Sequence, residues 1–369
     1  MKNKGTSRQN KSVKNILRVV TAVVLLSTAV FCVIYRIPMC FDSQNPAALA
    51  AAAFTLTNGK YRLEENKAEK PVRQTVVDNS KKGDVTVAEK NKKRDKSDYY
   101  DSFGNHDGEA KYTVEERSIG SAGTAVDNCY VRNKTGLSLD FESLLSEKLP
   151  FDTEKGINSP QVLIYHTHTG EAYLDEDVDF FYESFYSRTS DNNFNVVAVG
   201  DAITEQLNKR GIKTVHDTTV HDASYNGSYD RSVDTVYKNL EKYPDIKVVI
   251  DIHRDAIGTD ENKVKPVFTY NGKKGAQIMI LSGCDTDSER GFENWEQNLN
   301  FALKIQNTAE TLYPGMTRPL NFDYFAYNEY VCSGSLLIEV GTESNSIDEA
   351  VYSGTLLGNA LADVLDNNR

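Results

Sequence analysis

Two histidines and a glutamate crowd the end of one apolar run in this 369-residue chain, Val162-Leu163-Ile164-Tyr165-His166-Thr167-His168-Thr169-Gly170-Glu171. Two further apolar runs end in a similar way. Val248-Val249-Ile250-Asp251-Ile252 leads into His253, and Leu336-Leu337-Ile338 leads into Glu339. Taken singly, each group is ordinary: a histidine at a strand end is usually a hydrogen-bonded surface group, and a lone Glu339 could simply pair with Arg254 or a backbone N–H. Their recurrence after runs where a charge is costly to desolvate points to chemistry. Two neutral imidazoles and one carboxylate around a divalent cation, with a fourth position open to water, make the composition of a catalytic zinc site. A second carboxylate nearby serves such a site as general base. His168, Glu171 and His253 are the candidate Zn2+ ligands, and Glu339 is the candidate catalytic base.

Other polar groups crowd the same places. Alternation along an extended strand puts His166 and His168 on one face, so either could point at the ion. His168 is favoured because it and Glu171 form a short-range pair that one tight loop can aim at a single ion. His166 is then a supporting partner or a substrate contact. Arg254 could clamp a substrate carboxylate through bidentate hydrogen bonds, and Asp255 could orient an imidazole; a purely structural Arg–Asp pair is the alternative. His216 and His221 form a separate His/Asp cluster with Asp217 and Asp222, which could line the cleft.

Elements must hold these groups together. Continuous apolar runs of this length are the mark of strands buried on both faces of a parallel sheet. From residue 126 onward such runs alternate with amphipathic stretches: helices over 194–210, 230–243, 295–312 and 347–365, and strands over 162–165, 212–215, 248–253, 276–281 and 336–339. Gly211, Pro244 and Pro314 stand where helices should stop, and Ser346 with Glu349 has capping-box spacing. The pattern predicts a single α/β catalytic domain with a mainly parallel sheet flanked by helices over 126–369. If the strands are parallel, the candidate groups share the carboxyl edge, where open α/β sheets carry function. No internal repeat is visible.

The first third reads differently. A basic stretch over 1–18 precedes an uncharged run from Val19 to Tyr35, predicting a cytoplasmic N-terminus, a single-pass membrane anchor over 19–35, and an extracytoplasmic remainder. A cleaved signal peptide is the competing reading, with Ala48-Leu49-Ala50 as its cleavage site. Residues 36–125, rich in Lys, Asp, Glu, Asn and Ser with few clustered aliphatics, read as a flexible linker. The net charge of −11 and the lack of a concentrated basic surface in the C-terminal part argue against nucleic acid as a partner. The five cysteines show no Cys-x-x-Cys pairing, and the odd number beyond the anchor, Cys129, Cys284 and Cys332, excludes a fully paired framework within one chain.

These motifs resemble the stage II sporulation protein P family, peptidoglycan hydrolases of endospore-forming bacteria. The resemblance rests on residues 162–173, on Asp251-Ile252-His253-Arg254-Asp255 and on Leu336-Leu337-Ile338-Glu339-Val340-Gly341, together with the anchor and, more loosely, Val131 to Gly136. It implies a zinc-dependent N-acetylmuramoyl-L-alanine amidase, related in fold to the broader zinc amidases, with a second activity on peptide cross-links. It also implies septal wall remodelling and engulfment during sporulation, within a membrane-bound complex that includes a lytic transglycosylase. Carried over residue by residue, it puts His168, Glu171 and His253 on the zinc and makes Glu339 the base. The gap of two residues between His168 and Glu171 is shorter than in the broader amidases and follows the sporulation family. Two other readings of the same residues are a metallopeptidase acting only on stem peptides and a membrane-tethered wall-binding scaffold without activity.

Overall fold

The computed structural model describes residues 99–367 apart from 287, 289 and 290. The expected cytoplasmic N-terminus, the membrane anchor and the linker as far as residue 98 lie outside the described residues. Among the described residues no helix is long and apolar enough to cross a membrane.

The catalytic-domain expectation of a mainly parallel sheet holds, with one addition. Twelve strands, β1 (Lys111–Arg117), β2 (Thr124–Val126), β3 (Cys129–Asn133), β4 (Val162–Tyr165), β5 (Phe180–Tyr182), β6 (Thr214–His216), β7 (Val248–Asp255), β8 (Asn262–Tyr270), β9 (Lys273–Ala276), β10 (Ile278–Gly283), β11 (Leu320–Asp323) and β12 (Ser335–Thr342), form two sheets. The larger runs β2-β3-β11-β10-β12-β7-β4-β6, and the smaller runs β5-β1-β8-β9. In the larger sheet only β2/β3 and β10/β12 pair antiparallel. Strands β12, β7, β4 and the edge strand β6 are mutually parallel, so their carboxyl ends open on one side of the sheet.

Among the described residues five α-helices accompany them: α1 (Phe141–Ser146), α2 (Val196–Lys209), α3 (Ser228–Lys242), α4 (Trp295–Leu312) and α5 (Ile347–Asn367). The buried run of β4 explains itself by alternation. Val162 and Ile164 join one core with Val196, Val199 and Ile203 of α2 and with Leu357 and Leu361 of α5. Leu163 and Tyr165 face the other way into a core with Val236 of α3 and Val249 of β7. A strand covered on both faces has no room for polar residues until it ends, which is why the histidines come after Tyr165.

Local signals act as read. Gly211 ends α2 with φ +82°, and the Ile212 N–H reaches the Leu207 carbonyl at 3.0 Å, closing the helix end. At α5, Glu349 N–H donates to Ser346 Oγ at 3.2 Å while Ser346 N–H donates to Glu349 Oε2 at 3.0 Å, a complete capping box.

The linker boundary at residue 125 is corrected. β1 lies wholly inside that segment, paired with β5 and parallel to β8. Tyr99 stacks on Phe194 at 4.9 Å and donates its hydroxyl to the Tyr173 carbonyl at 2.7 Å. The physical reason is that this strand buries one aliphatic side chain, Val114, and is otherwise held by its backbone ladder and by ion pairs. Clustered apolar residues therefore do not betray it. Cys129, Cys284 and Cys332 form no disulfide among the described residues.

α2 and α5 approach closely because α5 carries Gly354 and Gly358 at the crossing. A Cβ at Gly358 would lie 2.9 Å from the Ile203 carbonyl oxygen and from Gln206 Cβ. Gly358→Val is expected to lower stability by about 1–3 kcal/mol through overpacking, read as a lower urea midpoint with an unchanged slope.

Candidate functional site

The parallel register brings the three motif ends together. His253, near the end of β7, sits directly opposite Glu339 of β12, and β4 delivers its loop from the other side. That loop is short and tied at each step. Thr167 donates its N–H to Asp251 Oδ1 at 2.8 Å and its hydroxyl to Oδ2 at 2.6 Å. Glu171 N–H then donates to the His168 carbonyl at 3.2 Å, closing a turn that aims both side chains the same way.

Glu171, His253 and Asp251 form a buried line of alternating charge. Glu171 Oε2 lies 3.3 Å from His253 Nδ1 and accepts the Arg254 N–H at 3.2 Å. His253 Nε2 approaches Asp251 Oδ1 at 2.9 Å, yet makes no directed hydrogen bond. The distance makes this a charge contact whatever the angle, so the short approach governs the electrostatics. Burial pushes His253 down, but Asp251 and Glu171 on either side hold it well above its ordinary value. Burial likewise pushes Glu171 up, and the His253 charge, then Arg254 and His168, bring it well below the usual carboxylate range. Asp251 is held low in the same manner, burial being outweighed by His253 and Thr167.

His168 completes the group. It is buried, and its Nδ1 has no hydrogen-bond partner. Its ring meets His253 edge-on at 5.3 Å between centroids and stacks flat on Tyr225 at 4.7 Å. Burial depresses its pKa, which keeps the imidazole neutral and a ring nitrogen available as a ligand. Glu339 also leaves one carboxylate oxygen, Oε2, buried without a partner. Burial pushes its pKa up to about 8; His253 opposes, while Glu171 and Asp255 add to the rise.

Three observations favour a divalent ion here, although among the described residues the three donor atoms do not all lie within 4.8 Å of one another as they stand. Two donors about 2.1 Å from one tetrahedral zinc ion lie roughly 3.4 Å apart, close to the 3.3 Å between Glu171 Oε2 and His253 Nδ1. An orphaned buried nitrogen of His168 faces no protein partner. Asp251 stands behind His253 as carboxylates stand behind zinc-binding imidazoles. A second acidic cluster, Glu116, Asp177 and Glu349, has its oxygens within 4.8 Å of one another. Lys265 and Lys274 already neutralise it, with Lys274 Nζ 2.5 Å from Glu116 and 2.9 Å from Asp177, so its chemistry is that of an ion-pair network.

The remaining candidates do other work. His166 is fully buried, which removes it as a substrate contact. Its Nδ1 pairs with the Ile252 carbonyl at 2.9 Å and its Nε2 with His216 Nε2 at 2.8 Å, so it supports β7 from behind; burial pushes its pKa down to about 3. Gly200 permits that histidine pair, since a Cβ there would come within 2.5 Å of His216. His216 also reaches Asp201 at 2.9 Å, and His221 bridges the His166 carbonyl and Thr235; neither joins the ligands.

Arg254 is corrected as a substrate clamp: its guanidinium is engaged with the Ala172, Asp255 and Ser187 carbonyls at 3.1, 3.4 and 2.7 Å, fastening the Glu171 loop. Asp255 is corrected as an imidazole orienter, because its carboxylate accepts from Arg318 at 2.8 Å and the carboxylate in charge contact with the His253 ring is Asp251. Asp251 had a legible signal, its i, i+2 spacing to His253 on one strand face. Arg318, Tyr225 and Tyr229 had none, since they arrive from distant loops and from α3.

A family description, Stage II sporulation protein P, matches residues 44–364 of the 369. The chain belongs to that family. The stage II sporulation protein P of Bacillus subtilis (strain 168) is 29% identical over 220 residues, covering 55% of this chain and 49% of that relative. The match thus spans about half the length of the curated relative. Among solved structures, an N-acetylmuramoyl-L-alanine amidase from Clostridium difficile 630 is similar at 16% identity, covering 57% of this chain and 97% of that one, with a TM-score of 0.33. An N-acetylmuramoyl-L-alanine amidase of Nostoc punctiforme is similar at 11% identity, covering 56% and 94%, with a TM-score of 0.32. Likeness at these scores carries no argument about the site, whose chemistry rests on the sporulation-family residues themselves.

Asp251→Asn removes the charge behind His253 and one acceptor for Thr167. Zinc affinity is expected to fall about 10–100-fold while the circular dichroism spectrum is kept, as measured by competition with a chromophoric chelator.

Proposed function

We propose that this protein is a zinc-dependent peptidoglycan hydrolase, an N-acetylmuramoyl-L-alanine amidase that also cleaves peptide cross-links, acting in septal wall remodelling and engulfment. The observation that carries the reading is the meeting, at one sheet edge, of the 3.3 Å Glu171–His253 pair, the unpartnered Nδ1 of His168 and the unpartnered Oε2 of Glu339. Membership of the sporulation family supports the cell-wall substrate. Anchoring over residues 19–35 and a lytic transglycosylase partner belong to the same proposal.

His168, Glu171 and His253 would hold the zinc, with Asp251 fixing the orientation of the His253 ring. When bound, the ion supplies Lewis acidity that polarises an amide carbonyl and acidifies water. The chain's own contribution is then proton movement and exclusion of water. Glu339 Oε2 accepts a proton as a water oxygen attacks the carbonyl carbon of the lactyl-L-alanine amide. It returns that proton to the nitrogen as the C–N bond breaks, leaving a lactyl carboxylate and the free amine of the stem peptide. Burial suits Glu339 to both halves of this task, because a raised pKa makes its carboxylate a stronger base than an exposed one. Arg254 and Thr167 act indirectly, by fixing the loop that carries His168 and Glu171.

Glu339→Gln is expected to keep stoichiometric zinc and the fold but to lower cleavage of purified sacculi by a factor of at least about 100, in the range expected for loss of a general base. Mass analysis of the muropeptides should find glycan freed of intact stems with the unaltered protein. Near-normal turnover in the variant would remove Glu339 from the role, and split cross-links alone would replace the amidase with a peptidase acting on stems.

A further inference from the structure

An unbroken row of aromatic rings runs beside the candidate ligands. Tyr225 lies flat on His168, with planes 2° from parallel, and His168 meets Tyr229 edge-on at 5.8 Å. Tyr229 packs on Tyr327 at 5.4 Å, and Tyr327 on Phe325 at 5.2 Å. The row is open at both ends: Tyr225 is 66% exposed, Phe325 37%, and its neighbour Tyr324 40%. Large rings left in water in continuous contact with a reactive centre mark a binding surface, because scattered exposure needs no explanation but a contiguous patch does.

The row is held in place by the same polar groups that hold the site. Tyr327 has φ +39°, a left-handed backbone conformation that bulky residues avoid. Beside it, buried Asn328 donates to Ser232 Oγ at 2.9 Å. Ser232 meets Thr167 Oγ at 2.7 Å, and Thr167 donates to Asp251. A hydrogen-bonded chain therefore joins the aromatic loop to the strand that carries His253.

The chemistry of the row selects its occupant. Pyranose rings present flat C–H faces to aromatic rings while their hydroxyl and acetamido groups point to water. A stem peptide instead carries carboxylates and calls for free cations. The arginines around the site offer no exposed cation: Arg188 pairs with Asp222 and lies 5.8 Å from the Tyr225 ring, Arg254 is tied to three carbonyls, and Arg318 is buried, pairing with Asp255 through Nη1 while its Nε and Nη2 stay buried without a partner. We propose that Tyr225, Tyr229, Tyr327 and Phe325 form a glycan-seating subsite that lays the N-acetylated sugar strand beside the scissile amide. The proposal rests on the reading of this site as a wall amidase.

The test measures binding apart from cleavage, by calorimetry on the zinc-loaded full chain with two probes: peptide-free N-acetylated glycan oligomers and free stem peptide. Tyr225→Ala and Phe325→Ala should each weaken glycan binding on the order of tenfold, the equivalent of about 1.4 kcal/mol, with stem-peptide binding unchanged and thermal melting retained. Tyr225→Phe, which keeps the ring, should restore binding. Glycan binding untouched by both alanine variants overturns the proposal, as does a loss confined to the stem peptide. Failure of the amidase reading is separate: it would appear as intact sacculi with the unaltered protein, whatever the glycan affinity.

Discussion

Burying an imidazole between two carboxylates is the constraint around which this structure is organised. Glu171 and Asp251 flank His253 at 3.3 and 2.9 Å, and all three groups are buried. Any one of them alone would be costly to desolvate, and removing one partner leaves the others with uncompensated charge. The surroundings answer that cost one group at a time. Thr167 gives Asp251 two hydrogen bonds, the Arg254 backbone gives Glu171 another, and the Arg254 side chain fastens the loop from which Glu171 projects. Parallel strands make this possible, because they deliver polar ends to one edge while the apolar runs behind them stay dry.

The same constraint separates the two glutamates chemically. Glu171 sits against His253 and is held ionised, as its proposed role as a ligand requires. Glu339 lies across from His253, with Arg318 on the favourable side and Glu171 and Asp255 on the unfavourable one, and burial leaves it a far weaker acid. Two carboxylates with opposed shifts in one pocket are the mark of divided roles. The aromatic row extends this logic outward: Tyr225 and Tyr229 cover the histidines on the open side, and the loop that carries Tyr327 is tied through Asn328, Ser232 and Thr167 to Asp251.

Much of this is legible in the amino-acid sequence. The apolar runs of β4, β7 and β12 announced a doubly covered sheet, Ser346 with Glu349 announced the start of α5, and the shared edge followed from parallel pairing. The smaller sheet was not read, although Asn271-Gly272 carried its signal: both residues have positive φ, 50° and 73°, as a two-residue hairpin turn between β8 and β9 requires. β1 gave no such warning, since a strand with one buried aliphatic residue looks like linker in composition. Adjacency in sequence leaves Asp255 open as an imidazole orienter or a structural partner of an arginine; the strand's alternation puts residues 251 and 253 on the same face, and Asp255 pairs with Arg318. Arg254 is open in sequence to two readings, substrate clamp or structural tie, and only the three-dimensional path of residues 172 and 187 reveals the carbonyls that engage it.

The central claim is that His168, Glu171 and His253 together hold one zinc ion. Zinc-edge X-ray absorption on the purified chain, unaltered and as His253→Ala, tests it most directly. The account predicts one zinc per chain with only nitrogen and oxygen donors, imidazole scattering from two rings, and a loss of one ring's contribution or of the ion itself in the variant. Sulfur in the coordination shell, or a spectrum unchanged by His253→Ala, would contradict it.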